Sequence, residues 1–142
     1  MEFSSVIVTG DLSETEAICQ SPNPLENWRG IESKGMGPVK IATLQSLLTG
    51  QTFDEAFCEY DHAIAASDEG PWVIRLPDLL VERLAELDEY ALECVAEELV
   101  ATEEFERDGW PLEAVHVFLE ALADLANVGL ANENALFLWV GL

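Results

Sequence analysis

The chain has 142 residues, 49% of them hydrophobic, and its twenty-eight acidic residues outnumber six basic ones to give a net charge of −22. A chain of this length and hydrophobicity buries its own core, so we expect one folded domain over residues 1–142. The negative charge argues against direct nucleic-acid binding through phosphates and against attraction to anionic lipid. No apolar run reaches the ~18 residues of a transmembrane helix.

The cysteines indicate the redox compartment. Cys19, Cys58 and Cys94 are odd in number and far apart, which is not the pattern of a disulfide framework. The N-terminus also lacks the basic start and apolar middle of a signal peptide. We therefore expect a bacterial protein of the reducing cytoplasm, without a cofactor.

Short elements are predicted at the start of the chain. Val6-Ile7-Val8 is a β-branched run that favours a strand ending at Gly10. Ser13 and Glu16 have the spacing of a capping box, which predicts a short helix behind them. Residues 21–37 are rich in Pro, Asn, Ser and Gly, so we expect an irregular loop there.

Two helices and a strand are predicted next. Residues 38–48 form an apolar-periodic segment closed by Gly50, and residues 53–66 follow a capping box of Thr52 and Glu55. A turn at residues 68–71 leads into residues 72–75, a β-branched and aromatic segment that indicates a second strand.

The longest periodic stretch covers residues 77–102 and 111–128. Its apolar residues recur in steps of three and four, as on one face of a helix. Asp88 can cap a helix, so we expect a break there. Residues 111–128 are apolar around most of the circumference, which predicts a buried helix stopped by Gly129.

Acidic residues follow a similar helical spacing on another face of residues 77–102. This predicted acidic interaction face consists of Asp78, Glu82, Glu86, Glu89, Glu93 and Glu97.

An unbroken apolar run at residues 135–140 predicts a buried C-terminal strand. Together these patterns favour an α+β domain of five or six helices and a small sheet of two to four short strands. The predicted core joins the long helix to the last strand, through Phe118, Leu122, Leu136, Leu138 and Val140.

The Leu-Leu-Thr-Gly at residues 47–50, the Leu-Pro-Asp-Leu-Leu at residues 76–80 and the final apolar strand resemble features of the YfbM-like family of small bacterial proteins. The function of that family is unknown, so the resemblance implies the α+β element order and no activity.

One pair of residues has the spacing of a metal site. Cys58 and His62 are four residues apart in the predicted helix, a spacing that suits two zinc ligands, with Cys94 or His116 as further ligands. A structural zinc site usually has two such short spacings, so we favour no metal and a core position for Cys58. A nucleophilic cysteine is also disfavoured, because acids flank Cys58 and Cys94 and raise a thiol pKa.

Half of the positive charge lies in the loop before the second predicted helix and just beyond it. Trp28, Arg29, Lys34 and Lys40 lie within thirteen positions around a glycine-rich segment that is not a Walker A loop. These four are candidate ligand-binding residues for an anion or nucleotide. The competing interpretation is that the cations only neutralise neighbouring acids.

Three functions remain open, and none requires catalytic residues. The favoured one is a non-catalytic protein-interaction module, immunity- or inhibitor-like, with a basic protein partner. The alternatives are a DNA mimic that uses the acidic helical surface, and an anion- or nucleotide-binding protein that uses the loop from Trp28 to Lys40.

Overall fold

The computed structural model describes residues 4–60, 64–68 and 70–141. Within them the chain forms a five-stranded antiparallel sheet and seven α-helices. The strands are β1 Ser4–Gly10, β2 Gly30–Lys34, β3 Ile64–Ala65, β4 Trp72–Arg75 and β5 Ala135–Gly141. The helices are α1 Thr15–Gln20, α2 Pro38–Thr49, α3 Phe53–Cys58, α4 Asp78–Ala85, α5 Glu89–Val100, α6 Glu103–Arg107 and α7 Leu112–Ala131.

The α+β class is confirmed, but the expected two to four strands and five or six helices are wrong. Both missed strands lie at sheet edges. β2 occupies part of the segment predicted to be an irregular loop, and β3 lies inside the segment predicted to be helical. β2 depends on close approach to β1, since a Cβ at Gly30 would overlap the carbonyl oxygen of Ile7. Its five residues are too few and too polar to show this in the sequence.

The strand order is β2-β1-β5-β4-β3, so the C-terminal strand is the central one. β5 pairs along seven residues of β1 on one side and along β4 on the other, which satisfies its backbone groups within the sheet. Leu136, Phe137 and Leu138 are fully buried. The predicted burial of this strand is confirmed.

Alternating side chains divide the core between the two faces of the sheet. The face covered by α7 is called the helical face. There Leu136 and Leu138 of β5 meet Phe118 and Leu122 of α7 in one cluster, and Val140 packs against it. The predicted core contact is therefore confirmed for Phe118, Leu122, Leu136 and Leu138, whereas Val140 is only half-buried. The opposite face, called the thin face, carries a separate cluster covered by α1 and the 3₁₀ turn Pro24–Glu26. Its buried members are Val6, Val8, Ile18, Cys19, Val73, Phe137 and Trp139.

The break in the long periodic stretch occurs where it was expected. The Asp88 carboxylate accepts a hydrogen bond from the Ala91 N–H at 2.8 Å and opens α5, three residues after α4 ends. The predicted stop at Gly129 is wrong, because α7 continues to Ala131. Gly129 is needed for packing instead: a Cβ there would lie 2.7 Å from Leu136 Cδ1.

Caps at the N-terminal helices follow a partly different pattern from the prediction. The capping box of Thr52 and Glu55 is present and opens α3, and Gly50 ends α2 in the left-handed conformation at φ 79°. At the first turn the box is formed by Asp11 and Glu14, so the prediction of Ser13 and Glu16 is wrong. The register differs by two residues because a 3₁₀ turn precedes α1.

Within the described residues, α7 is long and apolar enough to cross a membrane by length and composition. Its Val115, Leu119 and Leu122 are fully buried against the sheet and the neighbouring helices. The helix also carries Glu113 and Glu120 on its exposed side. These are the properties of the core helix of a soluble globular protein.

Candidate functional site

Trp28 belongs to the thin face of the sheet. Its ring packs on the cluster of that face, and its Nε1 donates a hydrogen bond to the Glu14 carboxylate at 3.1 Å. Glu14 also accepts from the Asp11 N–H at 2.9 Å, so Trp28 is tied to the capping box before α1. These contacts give Trp28 a packing role.

The three cations of the loop have separate surroundings. Arg29 is exposed, and its carbonyl oxygen accepts the Thr9 N–H at 2.9 Å. Lys34 is the last residue of β2, and its side chain lies outside the described part of the structure. Lys40 is buried in α2, where its ammonium donates to the Gly35 carbonyl at 3.0 Å and to the Asp108 carboxylate.

Trp28 and Lys40 therefore lie on opposite faces of the sheet. The Lys40 ammonium is 5.9 Å from the centre of the Phe105 ring, which belongs to the helical-face cluster. It also lowers the pKa of the Asp108 carboxyl, first by the hydrogen bond and then by its charge. The geometry does not bring Trp28 and Lys40 into one concavity, and Lys40 links α2 to the end of α6.

All six residues of the acidic interaction face are exposed. They are divided between α4, with its C-terminal cap, and α5, and the two helices are separated by the Asp88 break. Asp78 pairs with Arg75 at 2.8 Å, and Glu86 pairs with Arg83 at 3.6 Å. In the described structure Glu82, Glu89, Glu93 and Glu97 make no ion pair.

The acidic region extends beyond these six residues. Twelve of the twenty-eight acids lie in residues 78–108, against two arginines, and this region covers α4, α5 and α6. Four of the twelve form ion pairs, and three of those pairs are between exposed side chains. The others leave a surplus of negative charge, since no described cation pairs with them. They are Glu82, Asp88, Glu89, Glu93, Glu97, Glu98, Glu104 and Glu106.

Within the described residues, no group of three or more His, Cys, Asp or Glu side chains could hold a metal ion. The helix that was predicted to hold Cys58 and His62 ends at Cys58, and His62 lies outside the described residues. Cys58 is exposed, so its predicted core position is wrong. Cys19 is the buried thiol, and burial raises its pKa, with a further contribution from Glu16.

A groove between β2 and α7 was missed by sequence reasoning. It has a volume of about 490 Å³ and is lined by Ile31, Glu32 and Ser33 on one side and by Trp110, Val117 and Phe118 among others on the opposite side. Trp110 contacts Phe118 edge-to-face at 6.1 Å, which fixes an aromatic wall. Val117 is apolar and 60% exposed, and the sequence carried no signal for this exposure, because the apolar pattern of residues 111–128 predicted burial.

The chain matches no protein-family model, and no curated protein and no solved structure shows significant similarity to it. The resemblance to the YfbM-like family therefore stays a prediction, and the function is argued from the geometry alone.

Proposed function

We propose that this protein is a non-catalytic protein-interaction module of the bacterial cytoplasm, immunity- or inhibitor-like, which binds a basic protein partner. The observation that carries the proposal is the surplus of exposed acids on α4, α5 and α6, in a chain of net charge −22. Few cations offset this surplus, so the field of the region extends into solvent.

A charged surface of this kind affects the recognition of partners more than the stability of the fold. Opposite charges accelerate diffusional encounter and exclude partners of the same sign, while exposed ion pairs add little stability to a fold. The acids here contribute little to the packed core, because it is built from apolar side chains beneath them. A basic partner is the class of molecule whose binding this charge favours.

The anion-binding alternative has less support, because Trp28 and Lys40 face different sides of the sheet and Lys40 already has two partners. A DNA mimic uses the same acidic surface and differs only in its partner. Competition by duplex DNA for that partner separates the mimic from an inhibitor that binds elsewhere on its target.

The test is capture of partners by the immobilised protein from bacterial lysate at ~0.1 M and ~1 M NaCl, over which the screening length falls from about 10 to about 3 Å. We expect a basic protein to be retained at low salt and released at high salt. The identified partner is then purified, and its association rate constant is measured. Retention of no basic protein at low salt contradicts the proposal.

Two matched double variants locate the contact. Glu93→Gln with Glu97→Gln removes two charges from α5, and Glu16→Gln with Glu26→Gln removes two from the opposite side of the sheet. We expect the α5 variant to slow association severalfold and the control to change it much less, since steering depends on local charge. Equal effects of the two variants contradict a role for the α4–α6 surface.

A further inference from the structure

We propose that the free edge of β2 and the groove between β2 and α7 bind an extended basic segment of a partner protein, which adds to the sheet as a sixth strand. The inference rests on the proposed function and names its partner class and binding site. We expect the added strand to pair with β2 in the antiparallel sense, as the four strand pairs of the described sheet do.

The backbone of β2 has one unpaired edge in the described structure. This strand pairs with β1 on one side and is the end strand of the sheet that the described residues form. The Thr9 N–H donates to the Arg29 carbonyl, and because hydrogen-bonded pairs alternate, Ile31 and Ser33 also direct their backbone groups towards β1. The N–H and C=O groups of Gly30 and Glu32 therefore point away from the sheet and are open to another strand.

Side chains of β2 and α7 line the groove beside that edge. Ile31 lies opposite Ile7 and packs against the helical-face cluster, so Ile31 and Ser33 face α7. Val117 of α7 is 60% exposed across the groove, and Trp110 and Phe118 continue the apolar wall. The groove has a volume of about 490 Å³ and is open to solvent along its length, so side chains of an added strand can enter it.

The surroundings of the free edge determine which side chains an added strand can carry. On a sixth strand, the side chains opposite Ile31 and Ser33 enter the groove, and the side chain between them lies beside Glu32 on the other face. The first two positions favour β-branched residues. The middle position favours Lys or Arg, because Glu32 is exposed and the chain is strongly negative. The segment is therefore apolar-cation-apolar.

A second copy of this chain fits the edge poorly. Antiparallel pairing of two β2 edges brings the two Glu32 carboxylates close together, and like charges on neighbouring strands destabilise a sheet. Each copy also carries a net charge of −22, which opposes association. Glu32 thus disfavours self-pairing and favours a cationic strand.

The probe is a terminally blocked peptide, Thr-Val-Lys-Val-Thr, and its matched control is Thr-Val-Glu-Val-Thr. Both are titrated into the full-length protein and followed by amide chemical shifts. We expect the Lys peptide to shift Gly30 and Glu32 with saturation in the micromolar to millimolar range, and to bind at least about threefold more tightly than the Glu peptide. No saturable shift of β2 by the Lys peptide overturns the inference.

Backbone methylation tests strand addition against simple side-chain docking. In the antiparallel pair the amide of the central Lys donates to Glu32, and the amides of the two Val residues face solvent. N-methylation of Lys should abolish binding, and N-methylation of either Val should preserve it. Equal losses for the two positions overturn strand addition.

Variants of the protein test the groove and the charge separately. Val117→Gln should weaken the Lys peptide by about fivefold, through loss of apolar contact, while Leu130→Gln near the other end of α7 should leave it unchanged. Glu32→Lys should lower the preference for Lys over Glu at the central position by at least about threefold. Melting temperatures confirm that each variant is folded, and unchanged peptide affinity in folded Val117→Gln overturns the groove.

The two proposals fail in different ways. Salt-sensitive capture of a basic partner without peptide binding at β2 leaves the proposed function intact and removes only the edge site. A peptide that saturates β2 while lysate at low salt yields no basic partner supports the edge and contradicts the larger acidic surface. A concentration-dependent dimer whose formation shifts the amides of Gly30 and Glu32 identifies a second copy as the occupant and overturns the inference.

Discussion

The two faces of the sheet are covered by unequal layers. The helical face supports α2, α4, α5 and α7 over a large buried cluster, in which the inward-facing Leu119 and Leu122 of α7 are fully buried. The thin face is covered by a six-residue helix and a 3₁₀ turn over seven buried residues. Buried apolar area is the main stabilising contribution, so the helical face carries most of the stability.

The thin face compensates with specific polar contacts. Trp28 is tied to Glu14, and the Cys19 thiol donates to the carbonyls of Ile64 and Pro71 at 3.4 and 3.6 Å. These contacts hold short elements that have little apolar area of their own. One face is therefore stabilised by buried apolar area and the other by a few polar contacts, and substitutions on each face test this.

The largest effect is expected at the centre of α7. Leu122→Ala should lower the free energy of unfolding by about 2–5 kcal/mol, because it leaves a cavity among fully buried side chains. Chemical denaturation measures the change. Ile18→Ala on the thin face is the comparison and should lie at the low end of that range, since a thin layer can relax into the cavity. A larger loss of unfolding free energy in Ile18→Ala than in Leu122→Ala contradicts the conclusion that the helical face carries most of the stability.

Overpacking at Gly129 should rank second. Alanine normally stabilises a helix relative to glycine, but here its Cβ would approach Leu136 Cδ1 to 2.7 Å and Thr9 Oγ1 to 3.2 Å. Gly129→Ala should therefore lower stability by about 1–3 kcal/mol, measured by thermal and chemical denaturation. A stabilised Gly129→Ala variant means that α7 and β5 are more loosely packed than described.

On the thin face, Trp28→Phe removes the hydrogen bond to Glu14 and keeps an aromatic ring. The expected loss is about 0.5–1.5 kcal/mol, since the bond reaches a half-buried carboxylate. A double-mutant cycle with Glu14→Ala isolates this interaction from the capping role of Glu14. An interaction energy near zero means that the hydrogen bond between Trp28 and Glu14 does not stabilise the thin face.

The smallest effect is a pH dependence at the edge of the helical face. Lys40 holds the pKa of Asp108 below its ordinary value, so the stabilisation is complete above the unfolded-state pKa and is lost as the pH falls through the folded-state pKa. Asp108→Asn should lose less stability than the wild type over that acid range. Its effect near neutral pH should be small, because the amide oxygen can still accept from Lys40.

Denaturation curves between about pH 5 and pH 2 check this prediction. The pKa values of Asp11 and Glu55 are also lowered by hydrogen bonds from Ser13 and Thr52, but these groups are present in both proteins and cancel in the difference. Parallel pH curves for the wild type and Asp108→Asn contradict the coupling between Lys40 and Asp108.

Local patterns in the sequence determined the elements that carry their own signals. The Asp88 cap, the Thr52 capping box, α2 and the central β5 strand were predictable, because caps and apolar periodicity act within a few residues. The acidic excess was also visible from composition, and its exposure follows from the helical spacing of the charges.

Tertiary structure decided everything that depends on distant partners. Edge strands β2 and β3 form by pairing with β1 and β4, so short segments without alternation become strands. Packing sets the end of α7, which continues through a glycine that a side chain would overcrowd. The same contacts place Trp28 and Lys40, which are twelve positions apart, on opposite faces, and they bring β2 beside α7 to form the groove. Sequence separation contains no information about which face of a sheet a residue meets, because that depends on long-range strand pairing.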